Sequence, residues 1–199
     1  MPHPLTGNDV VDLGDPHNRA AHERPRFVAR VLADEEREAL RVSAEPAAML
    51  WSLYAAKEAA YKLVCKRGPR PAFAHRRFVV DPSLAWVRYG PRRFRLWVER
   101  DGDRLHAIAS TGPSRPFAVA AAADPALDAG VAVRRLLSTS LARHLRCSAA
   151  MLAVVRDPAP EAWDDLGPPR LLRYGLPLAT DVSLSHDGRF VAFSACLLS

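Results

Sequence analysis

Lysine is nearly absent from this 199-residue chain. Of 28 basic residues only Lys57, Lys62 and Lys66 are lysine, which leaves 25 arginines. All three sit in one ten-residue window. The arginine bias fits coding composition, and it makes the surviving lysines conspicuous, because a compact ammonium and a planar guanidinium are not interchangeable. Cysteine is scarce too. Cys65, Cys147 and Cys196 are odd in number, scattered, and lack CxxC spacing. That excludes a disulfide scaffold or a structural zinc site as the organising feature and fits a reducing, cytoplasmic setting. No apolar run reaches the roughly 18 residues of a membrane helix. Met1-Pro-His-Pro-Leu-Thr-Gly7 has neither the basic nor the apolar region of a signal peptide. Gly-rich phosphate loops, HExxH and GxSxG are all missing.

What is present is the composition of a folded, soluble protein, with 49% apolar and 25% charged residues. The length suits one domain or two small ones. A net charge of +6 favours an anionic partner, such as nucleic acid, a nucleotide or an acidic protein surface. From charge alone, arginine-rich coding without a partner is the favoured explanation.

Patterning divides the chain into two α+β halves, 1–123 and 124–199. In the first, 7–13 reads as a short strand. Pro46 is placed to open a helix of about 47–65, whose Leu50, Leu53, Tyr54, Ala56, Ala60, Tyr61 and Val64 keep near-3.6 spacing. Arg67-Gly-Pro-Arg-Pro71 ends it. Strands follow at 77–80 and 84–89, then a hairpin of 93–100 and 104–110 around Asp101-Gly102-Asp103, then a strand at 117–122. At Asp124 the pattern restarts. A helix is expected over 129–145, a strand over 151–156, a loop over 157–170 where prolines and glycines crowd, and a closing hairpin of 181–185 and 189–195. The halves are not obvious sequence repeats.

Several residues could carry chemistry. Asp9 follows a glycine on a strand, and Lys57-Glu58 sits mid-helix four residues before Lys62. Two carboxylates from separate elements, completed by phosphate oxygens and water, are what Mg²⁺ takes. Ser183-Leu184-Ser185-His186 puts hydroxyls and an imidazole at a strand end, suited to an anion. Each has a bland reading: Glu58 and Lys62 as an i,i+4 helix pair, Asp187-Gly188 as an ordinary turn.

Taken together these segments resemble the 4′-phosphopantetheinyl transferase superfamily. Gly7-Asn8-Asp9-Val10-Val11 resembles its G-x-D-[IV]-[VE] strand. Trp51 through Lys57-Glu58-Ala59-Ala60-Tyr61-Lys62 resembles its W-x-x-K-E-A-x-x-K helix. Ser183-Leu184-Ser185-His186 resembles its S-x-S-H strand, and Phe27 through Arg30, Leu32 and Glu35-Glu36 its approach to the helix. The motif order is that of the short, trimeric holo-acyl-carrier-protein synthases. The two-lobed length is that of surfactin-type transferases, whose lobes come in the opposite order. The resemblance therefore implies an α+β pseudo-dimer, each lobe a long helix on an antiparallel sheet, with circularly swapped lobes and a site built within one monomer.

The implied activity is Mg²⁺-dependent transfer of 4′-phosphopantetheine from coenzyme A to a serine of an acidic apo carrier protein, releasing 3′,5′-ADP. Asp9 and Glu58 would hold the metal, and Lys62 would reach a phosphate. Lys57 would assist or pair locally, and Ser185 and His186 would bind the 3′,5′-ADP moiety. The serine proton would pass to Glu58 or to a metal-bound water. The sequence departs from the pattern in two places. Val11 replaces the second acid of surfactin-type enzymes, and Asp12 cannot stand in, because residues 9 and 12 lie on opposite faces of a strand. Gly167-Pro168-Pro169-Arg170 lacks the usual phosphate-binding lysine, so Arg170 or the Arg134-Arg135 pair would substitute. Two rivals stand beside this reading. One is a non-catalytic superfamily member used for binding or assembly. The other is an arginine-rich nucleic-acid-binding module, hinted at by Arg88-Tyr89 and Arg92-Arg93-Phe94-Arg95 but lacking a recognised motif. Neither a nucleic-acid nor a membrane partner is expected.

Overall fold

A computed structural model describes residues 3–68, 71–160 and 165–197. Among the described residues ten strands and five α-helices follow in chain order: β1 (Thr6–Asp12), α1 (Pro16–Arg19), α2 (Pro25–Val31), α3 (Asp34–Val42), α4 (Pro46–Cys65), β2 (Phe78–Val80), β3 (Trp86–Tyr89), β4 (Arg92–Asp101), β5 (Arg104–Ser110), β6 (Phe117–Ala122), α5 (Ala129–Leu145), β7 (Leu152–Pro158), β8 (Leu166–Arg173), β9 (Leu176–Asp187) and β10 (Phe190–Cys196). They build two antiparallel five-stranded sheets, β1-β5-β4-β3-β2 and β6-β10-β9-β8-β7. The second order is the first with every number raised by five. Each sheet has one long helix between its first and second strand in the chain, α4 in the first and α5 in the second. A repeat invisible in the residues is plain in the topology.

The boundary differs from the sequence expectation. Strand β6 lies before 123 but pairs with β10, so the second sheet begins at Phe117. The composition break at Asp124-Pro125 marks the loop between β6 and α5, not the junction between sheets. A second difference lies in 157–170, expected as loop, where β8 starts at Leu166. Its prolines are tolerated because the ladder to β9 begins only at Arg170, so residues 166–169 have no partner strand on that side. Residues 161–164 of that stretch, and 69–70 of the helix-ending segment, lie outside the described residues.

Helix α4 has proline in its first turn and four buried alanines, Ala55, Ala56, Ala59 and Ala60, which let it lie close on its sheet. Leu50, Leu53 and Leu63 pack there against Phe78, Phe94, Leu96 and Leu105. Gly7 makes the closest approach possible: a Cβ there would stand 2.0 Å from the Ala59 carbonyl oxygen. On α5 the Asp128 carboxylate caps the N-terminus by accepting from the Gly130 and Val131 N–H groups at 2.8 and 3.2 Å. Leu137 and Leu141 pack on Leu171, Val182 and Phe193.

The sheets meet along β1, whose outer edge pairs with no strand among the described residues. Side chains of β9 satisfy it at alternate positions. The Thr6 N–H donates to Asp181 Oδ2 (2.7 Å), the Asn8 N–H to Ser183 Oγ (3.1 Å) and the Asp12 N–H to Asp187 Oδ2 (2.8 Å). Arg189 closes one end by donating to both carboxylate oxygens of Asp12. Among the described residues no helix is long and apolar enough to cross a membrane.

Candidate functional site

Strand alternation sends Gly7, Asp9 and Val11 toward α4 and Thr6, Asn8 and Asp12 toward the second sheet. The tight approach at Gly7 therefore sets Asp9 beside the α4 residues Glu58 and Lys62. Lys62 Nζ donates to Asp9 Oδ1 at 3.0 Å and to the Asn8 carbonyl at 2.8 Å. These groups line a cleft of about 470 Å³ between the lobes. From the second lobe come Ser183, Ser185 and His186 of β9, Gly130 and Arg134 of α5, Arg156 of β7 and Pro168 and Pro169 of β8. Expected residues from opposite ends of the chain, Asp9, Glu58, Lys62, Arg134, Ser185 and His186, thus share one cleft.

The electrostatics of the carboxylates follow from their confinement. Burial pushes Asp9 above the ordinary carboxylate range, opposed chiefly by the Lys62 ammonium. Burial also pushes Glu58 up, to about 7, and the charge of Asp9 adds to it, while Lys62 and a hydrogen bond from Tyr54 work the other way. Tyr54, one turn before Glu58, has its own phenol pushed up by burial and by Glu58. Among the described residues Lys62 is the ammonium that acts on both carboxylates.

Two expected residues are elsewhere. Lys57 is fully buried on the far side of α4. Its ammonium donates to Glu36 Oε2 (2.7 Å), to the His75 carbonyl (3.2 Å) and to the Phe78 carbonyl. Glu36 also accepts from the Ala33 and Val80 N–H groups. The pair ties α3, α4 and β2 together, and it gives the acid of the approach segment a structural reason. Neighbours 57 and 58 are about 100° apart on a helix, so only one can face the cleft. Arg170 is the second departure: it is exposed, pairs with Asp157 at 2.7 Å and does not line the cleft. Arg156, across the ladder from it on β7 but one residue out of direct register, lines the cleft instead.

Asp12 behaves as strand geometry requires. It faces away from Glu58, and hydrogen bonds from Arg189 hold its carboxyl down at about 2. Lys66 is a bridge between lobes, donating to the Thr6 carbonyl (2.6 Å), Asp181 Oδ2 (2.8 Å) and the Val182 carbonyl (2.7 Å). Sequence reading missed Tyr54 and Arg156. Tyr54 had a signal, its i−4 spacing from Glu58; Arg156 had none, since it belongs to no motif.

Comparison with known proteins adds a family. A model described as "4′-phosphopantetheinyl transferase superfamily" matches residues 6–108, just over half of the chain. A holo-[acyl-carrier-protein] synthase of Azoarcus sp. (strain BH72) is 34% identical over 116 residues, covering 57% of this chain and 90% of that protein. A solved structure, the holo-[acyl-carrier-protein] synthase (AcpS) from Neisseria meningitidis, is 25% identical and covers 53% of this chain and 95% of its own, with a TM-score of 0.44. The family match takes in Asp9, Glu58 and Lys62, and ends before the strand bearing Ser185 and His186.

Proposed function

This chain belongs to the 4′-phosphopantetheinyl transferase superfamily, and we propose that it moves 4′-phosphopantetheine from coenzyme A to a serine of an acidic apo carrier protein, using the cleft between its two lobes. The observation that carries this reading is the convergence of Asp9, Glu58 and Lys62 with Ser185 and His186 on one cleft from elements more than a hundred residues apart. The lobe division that builds the site within one monomer is part of the same proposal.

The donor set suits a hard divalent cation. Burial raises the proton affinity of both Asp9 and Glu58, and the charge of Asp9 raises Glu58 further, so a cation beside them would relieve that unfavourable burial of charge. Among the described residues there is no group of three or more His, Cys, Asp or Glu that could hold a metal. Two carboxylates completed by waters and phosphate oxygens are a donor set that Mg²⁺ takes. Asp9 and Glu58 would hold it, and when bound it supplies neutralisation of charge at the pyrophosphate.

The chain's own residues do the rest. Lys62, partly exposed, exchanges its longest contact, 3.5 Å to the Leu184 carbonyl, for a phosphate oxygen. His186 at the cleft mouth and Ser185 below it bind a phosphate of the 3′,5′-ADP moiety, with Arg134 and Arg156 adding positive charge nearby. The carrier serine oxygen attacks the β-phosphorus and the bond to 3′,5′-ADP breaks. Glu58, a carboxylate lining the cleft, is placed to take the serine proton. The +6 charge suits an acidic client. The test is incubation with fluorescent coenzyme A, Mg²⁺ and a panel of apo carrier proteins. Label on a carrier is the expected result. No label on any carrier, despite coenzyme A binding, would leave the non-catalytic reading standing.

A further inference from the structure

The site's strand motif supplies Gly7 and Asp9 with clear jobs, but Asn8 between them also has an unusual environment. Its side chain is completely buried at the junction of the lobes. One amide proton goes to Ser185 Oγ at 2.7 Å and the other approaches His106 Nε2 at 3.1 Å. Its backbone N–H donates to Ser183 Oγ. Its own oxygen, Oδ1, is buried with no partner among the described residues. The amide is therefore held by its two donors alone.

That fixes its direction. His106 is 3% exposed on β5, and burial, with Arg115 and Lys62 nearby, pushes its imidazole down to about 3. It is neutral at physiological pH, and in the tautomer protonated at Nδ1 its Nε2 accepts from the Asn8 amide. Turning the amide over would leave two buried N–H protons without acceptors, which costs more than one orphaned oxygen. Ser185 consequently receives a hydrogen bond at Oγ. Its own hydroxyl proton meets no acceptor among the described residues, and Ser185 is one of the residues lining the cleft.

We infer that Asn8 is a positioning residue: held by His106, it orients Ser185 as a hydrogen-bond donor into the cleft, toward a phosphate of the nucleotide substrate. This rests on the transferase reading for the identity of that ligand. The relay is built from β1, β5 and β9, so it also makes anion binding depend on the lobes staying docked.

The test is a double-mutant cycle on coenzyme A binding by calorimetry and on transfer kinetics, with Asn8→Ala, Ser185→Ala and the double variant, each checked for cooperative unfolding. Losing a donor to a charged phosphate should weaken coenzyme A binding about tenfold in Asn8→Ala, raising KM with kcat little changed. In the Ser185→Ala background the same change should weaken binding less than twofold. An Asn8→Ala penalty that is equal in both backgrounds, or absent in both, overturns the relay while leaving the transferase intact. Asn8→Asp distinguishes orientation from packing: its carboxylate takes the Ser185 proton, so it should bind coenzyme A more weakly than Asn8→Ala does, and the excess should shrink in the Ser185→Ala background. An excess of the same size in both backgrounds also overturns the relay. A wild type that binds no coenzyme A defeats the transferase reading itself.

Discussion

Counting from the hairpin turn of each sheet, Val119 on β6 holds the place that Asp9 holds on β1: Asp9 faces Ala107, Val119 faces Phe193, and each partner is the third residue after its turn pair. The helices differ in the same way. Helix α4 carries Glu58, whereas α5 has no carboxylate anywhere between Ala129 and Leu145. One architecture is thus used twice. In the first lobe the seam between strand and helix is ionisable and opens on the cleft. In the second it is apolar, and the lobe contributes its strand end and basic residues instead. Topology supplies a place for a carboxylate; which lobe uses it is decided by two residues.

The two sides of α4 repeat that contrast on a smaller scale. Lys57 and Lys62 each meet a carboxylate, one sealed in the core and one facing the cleft. Together with Lys66, each ammonium has three acceptors, which a compact tetrahedral head can meet and a planar guanidinium cannot. This is why lysine survives at these positions in a chain otherwise served by arginine. Lys66 and Lys62 also reach carbonyls on both β1 and β9, so they stitch the lobes as well as border the cleft.

The sharpest way to break the contrast is at its buried end. Lys57→Met strands Glu36 in the core and should cost about 3–5 kcal/mol of stability in urea unfolding. Glu36→Gln combined with it should recover much of that loss, and a folded Lys57→Met protein should bind coenzyme A as the wild type does. At the cleft end, Asp9→Asn and Glu58→Gln should each lower transfer by about two to three orders of magnitude without lowering the unfolding temperature. Full turnover in either would erase the difference between the lobes. Lys62→Arg should slow transfer about tenfold despite keeping the charge; unchanged turnover would remove Lys62 from the site. Arg170→Ala should change coenzyme A affinity less than twofold, while Arg156→Ala weakens it more, measured by the same calorimetry.

The contrast also shows in pH. Folding raises Glu58 from 4.5 to about 7, so folding favours its protonated form. That contribution is complete below about pH 4.5 and is lost as pH rises through about 7. The difference in unfolding temperature between wild type and Glu58→Gln should therefore open over this window without divalent cation and narrow when Mg²⁺ is added. A constant difference would contradict the assigned environment of Glu58.

Much of this was legible in residue order. Helix α4 announced itself through Pro46 and its apolar spacing, and Asp9, Glu58 and Lys62 through motif spacing on elements that strand and helix periods orient. The role of Lys57 was not legible, because its partner Glu36 lies twenty-one residues away and the motif treats 57 and 58 alike. The strand at 166–173 was hidden by Pro168 and Pro169, which occupy a stretch that lacks a β9 partner. The repeat of the sheets was hidden because topology is kept by burial pattern, not by identical residues.

Joint action of the first lobe's carboxylates and the second lobe's strand end on one substrate is the core of the proposed mechanism. Its most direct test is label transfer from fluorescent coenzyme A to an apo carrier protein by mixed samples of Glu58→Gln and Ser185→Ala–His186→Ala, beside the wild type. The monomeric site predicts transfer by the wild type, a severe defect in each variant alone, and no rescue when the two folded variants are mixed. Transfer restored by mixing would place the two halves of the site on different chains and contradict the account.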